Sequence, residues 1–189
     1  STVFPEAVLA QADTFPVSPE DAEIRTAIAS GRRDLRDLMT ITMDGEDAKD
    51  LDDAISIQEM PGKGHKLYVH IADVSNYVTE QSVLDEEARN RATSVYLVDR
   101  VIPMLPPRLS NGLCSLNPHL PRFALTAEMI IGGDGEIISG EIYESVIESD
   151  ARTSYKEVYG VLFEDKYLDQ YRDFIGMFTT MQTLKDILS

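Results

Sequence analysis

The sequence predicts a mixed α/β (α+β) domain: a largely antiparallel sheet with flanking helices. Three patterns carry that expectation. Two period-two runs, Ala54 to Gln58 and Lys66 to Asp73, are separated by the turn-forming Pro61-Gly-Lys-Gly64 and so predict a hairpin. A second pair, Phe123 to Ile131 and Glu136 to Val146, flanks Gly132-Gly-Asp-Gly135 in the same way. From Ser154 onward apolar residues recur at helical spacing instead.

Taken in order, residues 1 to 20 hold Pro5, Pro16 and Pro19 and read as an extended lead-in with one short helix around Glu6 to Ala12. Asp21 to Ser30 is helix-compatible and ends at Gly31. The charged run Arg32-Arg33-Asp34-Leu35-Arg36-Asp37 reads as a solvated, internally paired surface. Leu38 to Met43 alternates weakly and is expected to be a strand. In the first hairpin Ile55 and Ile57 share one face, and Leu67, Val69 and Ile71 are expected to point inward. Val83 to Ala92 has acids early and arginines late, as a helix macrodipole favours. Val101 to Pro107 is too proline-rich for a central strand and reads as a packed loop. The last segment places Leu168, Tyr171, Ile175, Phe178, Met181, Ile187 and Leu188 on a stripe that needs a partner surface.

A chain of 189 residues can bury one ordinary core. With 43% hydrophobic and 26% charged residues it has the composition of a soluble globular protein, and no apolar run approaches a membrane span. Its single cysteine, Cys114, excludes an internal disulfide framework, and no basic-then-apolar leader opens the chain. A cytoplasmic location is the expectation. The net charge of −16 argues against a free-standing nucleic-acid binder, because neutralising phosphates takes clustered Lys and Arg. A metal-dependent phosphoryl-transfer site, or basic surface supplied by other segments, would reconcile acidity with RNA.

The densest acid lies in Asp44-Gly-Glu-Asp-Ala-Lys-Asp50-Leu-Asp52-Asp53. Carboxylates about 4 Å apart repel by about 4 kcal/mol at an effective dielectric near 20, so such a cluster calls for a cation. An EF-hand does not fit, since counting from Asp50 puts Ala54 and Ile55 where an acid and a glycine are required. A solvated acidic loop is the bland alternative. Against it, Asp50, Asp52 and Asp53 abut the Ile55/Ile57 strand, while Asp44 arrives from the strand before. Hard oxygen ligands converging from two strands suit Mg²⁺, and four of them allow a two-metal arrangement.

Several blocks, in order, resemble the catalytic domain of the ribonuclease R / ribonuclease II (RNB) family. They are Arg33-Asp-Leu-Arg36, Thr42 to Ala54, Leu67 to Ser75, Thr93-Ser-Val-Tyr-Leu97, Asp99 to Pro106 and Leu109 to Pro118. Met43 and Asn76 depart from the family's usual residues without touching the acids. The resemblance implies metal-dependent 3′-to-5′ hydrolysis of single-stranded RNA to nucleoside 5′-monophosphates, with one or two Mg²⁺ ions, or Mn²⁺ as substitute. It carries the catalytic, metal-holding role to Asp44, Asp50, Asp52 and Asp53, and RNA contacts to Tyr96 and Tyr155. Asp73 and Arg100 lie in matching blocks, but an ion pair or turn contact explains each equally well, and His70 reads as a hydrogen-bonded structural residue. It divides the chain into a lead-in at 1–31 and the N-terminal half of the RNB catalytic domain at 32–189. The cold-shock domains, the arginine-bearing C-terminal catalytic half and the S1 domain of the family are not matched, so the chain is expected to be a fragment inactive alone. The rival class is a non-catalytic module that keeps the fold and acts by binding RNA or protein.

Overall fold

The computed structural model describes residues 3–164, 166 and 168–189. In chain order its elements are α1 (Glu6–Asp13), α2 (Asp21–Ala29), β1 (Arg33–Asp34), β2 (Ile41–Asp44), β3 (Asp53–Met60), β4 (Gly64–Ala72) and α3 (Val83–Arg91). There follow β5 (Val95–Tyr96), β6 (Val101–Ile102), β7 (Pro121–Ile131), β8 (Ile137–Glu148), β9 (Ala151–Ser154), α4 (Tyr155–Phe163) and α5 (Ile175–Leu188). Seven strands form one sheet in the order β1-β8-β7-β4-β3-β2-β9, and β5 pairs with β6 in a separate ribbon. The central pairings are antiparallel, whereas β1 on β8 and β9 on β2 are parallel. The mixed, largely antiparallel architecture is the one the alternation implied.

Both hairpins form as read. At the first turn Gly64 has φ +100°, and a Cβ there would lie 2.0 Å from the Ile131 carbonyl oxygen, so only glycine lets the turn pass so close to β7.

Strand β4 corrects one expectation. Its buried residues are Tyr68, His70 and Ala72 on one face and His65 at the start of the other, where Leu67 and Val69 are half-buried and Ile71 is 46% exposed. Alternation separates two faces but does not say which is deeper. The deeper face carries a polar chain: Thr40 Oγ1 lies 2.7 Å from Ser56 Oγ, which lies 3.0 Å from His70 Nε2, and His70 Nδ1 lies 2.8 Å from Thr126 Oγ1. Thr126 Oγ1 in turn meets Ser145 Oγ at 2.6 Å. All five residues are fully buried, so each hydroxyl or ring nitrogen must find its partner inside the protein. That requirement fixes strand register. His70 is a buried, hydrogen-bonded residue of this chain of contacts and does not line the acid cavity.

Burial pushes the His70 imidazole down to about 4 from its ordinary 6.5. The folded state keeps it neutral while the unfolded chain protonates it, so stability falls as pH drops from about 6.5 toward 4. The full loss is roughly 3 kcal/mol. Urea unfolding at pH 7, 6 and 5 should show this slope in the unaltered protein and a flatter one in His70→Gln. Equal slopes would exclude His70 as the cause.

The charged run after Gly31 is not wholly a solvated surface. Arg32 is buried and forms an ion pair with buried Asp73, while Arg33 and Arg36 pair at the surface with Glu141 and Asp34. Helices α1 and α2 pack into the main apolar cluster through Val8, Ala12 and Ile24, against Leu84, Leu109, Leu113, Phe123 and Val146.

Much of the C-terminal stripe finds the partner surface it needs within this chain. Tyr171 and Phe178 are buried with Ile41, Val158 and Met177, and Leu168 and Met181 pack on the same cluster beside Ile55 and Ile57 of β3. Ile175 and Leu188 remain exposed.

A candidate metal and nucleic-acid site

Strand β2 ends on Asp44 and β3 begins on Asp53, so the loop between them, carrying Asp50 and Asp52, is held at both ends by the sheet. Near its end Leu51 plugs into a small core with Ala54, Ala72, Leu116, Ala124 and Ile147. Its carbonyl accepts from the Leu116 amide at 2.8 Å, and the Asp52 carbonyl accepts from the Ala72 amide at 3.0 Å. Near the loop's start, Arg152 Nη2 donates to the Glu46 carbonyl at 2.7 Å. A buried leucine between two aspartates therefore turns both flanking carboxylates toward solvent on the opposite side.

Asp44, Asp50, Asp52 and Asp53 line one cavity of about 790 Å³. The crowding has electrostatic consequences. Burial, then Asp53 and Asp50, raise the Asp44 carboxyl above the usual carboxylate range, with Arg152 opposing. Asp52 is raised by burial and then by Asp50, Asp53 and Asp44. Asp44 Oδ2 is buried with no hydrogen-bond donor among the described residues, an arrangement that costs free energy unless something positive reaches it. Among the described residues no three His, Cys, Asp or Glu side chains close into a ready metal cage. The donor set, hard carboxylate oxygens around a roomy cavity with one oxygen unpartnered, fits a hydrated divalent cation that keeps several waters.

Tyr96, on the β5–β6 ribbon, lines the same cavity and donates from its hydroxyl to Asp50 Oδ2 at 2.7 Å. That hydrogen bond, more than burial, pushes the phenol up to about 12. The ring itself stays exposed and available for stacking. Tyr155 is placed differently. It opens α4 immediately after Ser154, the register partner of Asp44, and is exposed, but it does not line the cavity.

The structure adds wall residues that had not been assigned a role. Arg100 and Lys49 bring cationic side chains to the acid cavity, and Asn111 brings a carboxamide. Arg100 is exposed and hydrogen-bonded to Asp99 at 2.6 Å, so the ion-pair reading of that residue holds alongside its place in the wall. Its membership of a matching block was the available signal. Asn111 sits in an irregular turn at Leu109–Leu113, for which periodicity gives no warning.

Comparison with known proteins places the chain in a family. The chain is 46% identical over 185 residues to ribonuclease R of Thermotoga maritima, covering 98% of this chain and 25% of that protein. It is 44% identical over 188 residues to ribonuclease R of Escherichia coli, covering 98% of this chain and 22% of that protein. It thus spans about a quarter of the length of these relatives. Among solved structures, Mycoplasma genitalium RNase R in complex with ribose-methylated single-stranded RNA superimposes with a TM-score of 0.89 at 36% identity, over 98% of this chain and 28% of that one. The family model described as the RNB domain matches residues 32–189, and the chain belongs to that family.

Proposed function

We propose that this chain provides the metal-holding part of a 3′-to-5′ exoribonuclease that hydrolyses single-stranded RNA to nucleoside 5′-monophosphates. The observation that carries the proposal is the sharing of one cavity by Asp44, Asp50, Asp52, Asp53 and Tyr96, with an Asp44 oxygen that has no partner among the described residues. Asp44, Asp50, Asp52 and Asp53 would hold one or two Mg²⁺ ions, with Mn²⁺ as a substitute. When bound, such ions supply an activated water for in-line attack and charge stabilisation at the leaving 3′ oxygen.

The remaining side chains position RNA. The exposed Tyr96 ring offers a stacking face indifferent to base identity, worth about 1–3 kcal/mol per base. Tyr155, outside the cavity, would take a nucleotide further along the strand. Arg100 offers the fork of donors that suits a phosphate. With few cations in the cavity wall and a net charge of −16, most phosphate-binding surface is assigned to the rest of a longer polypeptide, consistent with the relatives' greater length.

The test is mononucleotide release from a uniformly labelled single-stranded RNA in Mg²⁺. A polypeptide carrying this chain within the full length of its relatives should release nucleoside 5′-monophosphates, and the 189-residue chain alone should release essentially none. No release by the longer polypeptide would overturn the activity, and robust release by the short chain would overturn its dependence on other segments.

A further inference from the structure

Ser115 is fully buried, has no place in the cavity wall, and yet its hydroxyl is bonded twice to the acid loop. It accepts from the Leu51 amide at 3.0 Å and donates to the Lys49 carbonyl at 3.3 Å. These two backbone groups bracket Asp50. One residue further, the Leu116 amide donates to the Leu51 carbonyl at 2.8 Å, so Ser115 and Leu116 together hold residues 49–51 much as a neighbouring strand would.

Ser115 is itself fixed from behind. Its carbonyl accepts from Arg122 Nε at 2.9 Å, and Arg122 is 1% exposed. The Arg122 guanidinium also donates to the Pro121 carbonyl at 2.9 Å and to Ser18 Oγ at 3.0 Å. A large buried cation bonded to neutral oxygens is costly to place, and here it stiffens the segment behind the acid loop.

We infer that Ser115 is a positioning residue for the metal-holding acids, its hydroxyl setting the backbone from which Asp50 and Asp52 project, with Arg122 locking Ser115 in turn. The inference rests on the metal reading given above. A carboxylate on a loop is a poor ligand unless its backbone is fixed, and partners one shell out from a metal typically control 10- to 100-fold in affinity.

Two readouts on the 189-residue chain test it: amide exchange at Leu51 without metal, and Mn²⁺ affinity by calorimetry. In Ser115→Ala the Leu51 amide should exchange at least about tenfold faster while β4 and β7 amides are unchanged, and Mn²⁺ should bind about tenfold more weakly. Ser115→Thr, which keeps the hydroxyl, should restore most of both. Unchanged Leu51 exchange in Ser115→Ala would overturn the anchor. Faster exchange with unaltered Mn²⁺ affinity, or failure of Ser115→Thr to rescue, would overturn its positioning role. Absence of Mn²⁺ binding by the unaltered chain would instead sink the metal reading and any service to an ion, while the exchange comparison would still show whether Ser115 fixes the loop.

Discussion

Asp52→Asn should make the metal-free protein slightly more stable and at the same time remove its response to divalent cations. Without an ion, Asp52 is repelled by Asp50, Asp53 and Asp44, and its own partial burial adds to the cost of charge. Neutralising it relieves that repulsion. Because the side chain also meets solvent, the gain is discounted to under about 1 kcal/mol, or roughly 2 °C in melting temperature for a chain of this size. With Mg²⁺ or Mn²⁺ at about 100 times the dissociation constant, the unaltered protein should gain about 2.7 kcal/mol by mass action. The variant, lacking a carboxylate that touches the ion, should lose more than the 10- to 100-fold in affinity seen for outer partners. The order of melting temperatures should therefore reverse on adding metal. A variant less stable than the unaltered protein in both conditions would mean that Asp52 serves the fold rather than an ion.

The largest stability effect is expected at Asp73. Its carboxylate pairs with the Arg32 guanidinium, and both side chains are almost wholly buried. The rest of Arg32 is held by the Ala124 and Ser145 carbonyls at 3.3 Å each, and the guanidinium lies 4.7 Å from the centroid of the Phe123 ring. Asp73→Ala leaves that cation inside the protein with only the exposed Glu144 carboxylate, 3.9 Å from Arg32 Nε, as counter-charge, and breaking comparable buried pairs costs about 3–5 kcal/mol. Arg32→Met combined with Asp73→Leu should cost less than Asp73→Ala alone, since an apolar pair needs no compensation. Urea unfolding of the three proteins decides this. A cost below about 1 kcal/mol for Asp73→Ala would show that the pair is already solvated.

How legible these features were depended on the range of the interactions behind them. Both hairpins were visible because alternation and glycine-rich turns are local, and the acid cluster was visible because its members lie within ten residues. The four-residue β9 was not, since Ala151–Ser154 is short and polar and becomes a strand only by lying parallel to β2, more than 100 residues away in sequence. Arg32 looked like surface because nothing nearby in sequence announces Asp73, 41 residues on. Ile71 looked like core because the buried face of β4 is lined by hydrogen-bonded polar groups, which a hydrophobic pattern ranks as solvent-facing. The four acids and Tyr96, each singled out in the sequence, come to line one cavity, but Ser115 left no mark. Its importance lies in backbone bonds to Lys49 and Leu51, which no residue-type pattern encodes.

The central claim is that the carboxylates at positions 44 to 53 are gathered to hold cations. Crystals of the 189-residue chain equilibrated with millimolar Mn²⁺ and measured for anomalous scattering test it directly. The account predicts one peak, or two about 3.5–4 Å apart, in contact with oxygens of Asp44, Asp50, Asp52 and Asp53, with the previously unpartnered Asp44 Oδ2 among them. Density maps with no peak in this cavity, or with Mn²⁺ bound only elsewhere on the acidic surface, would contradict it.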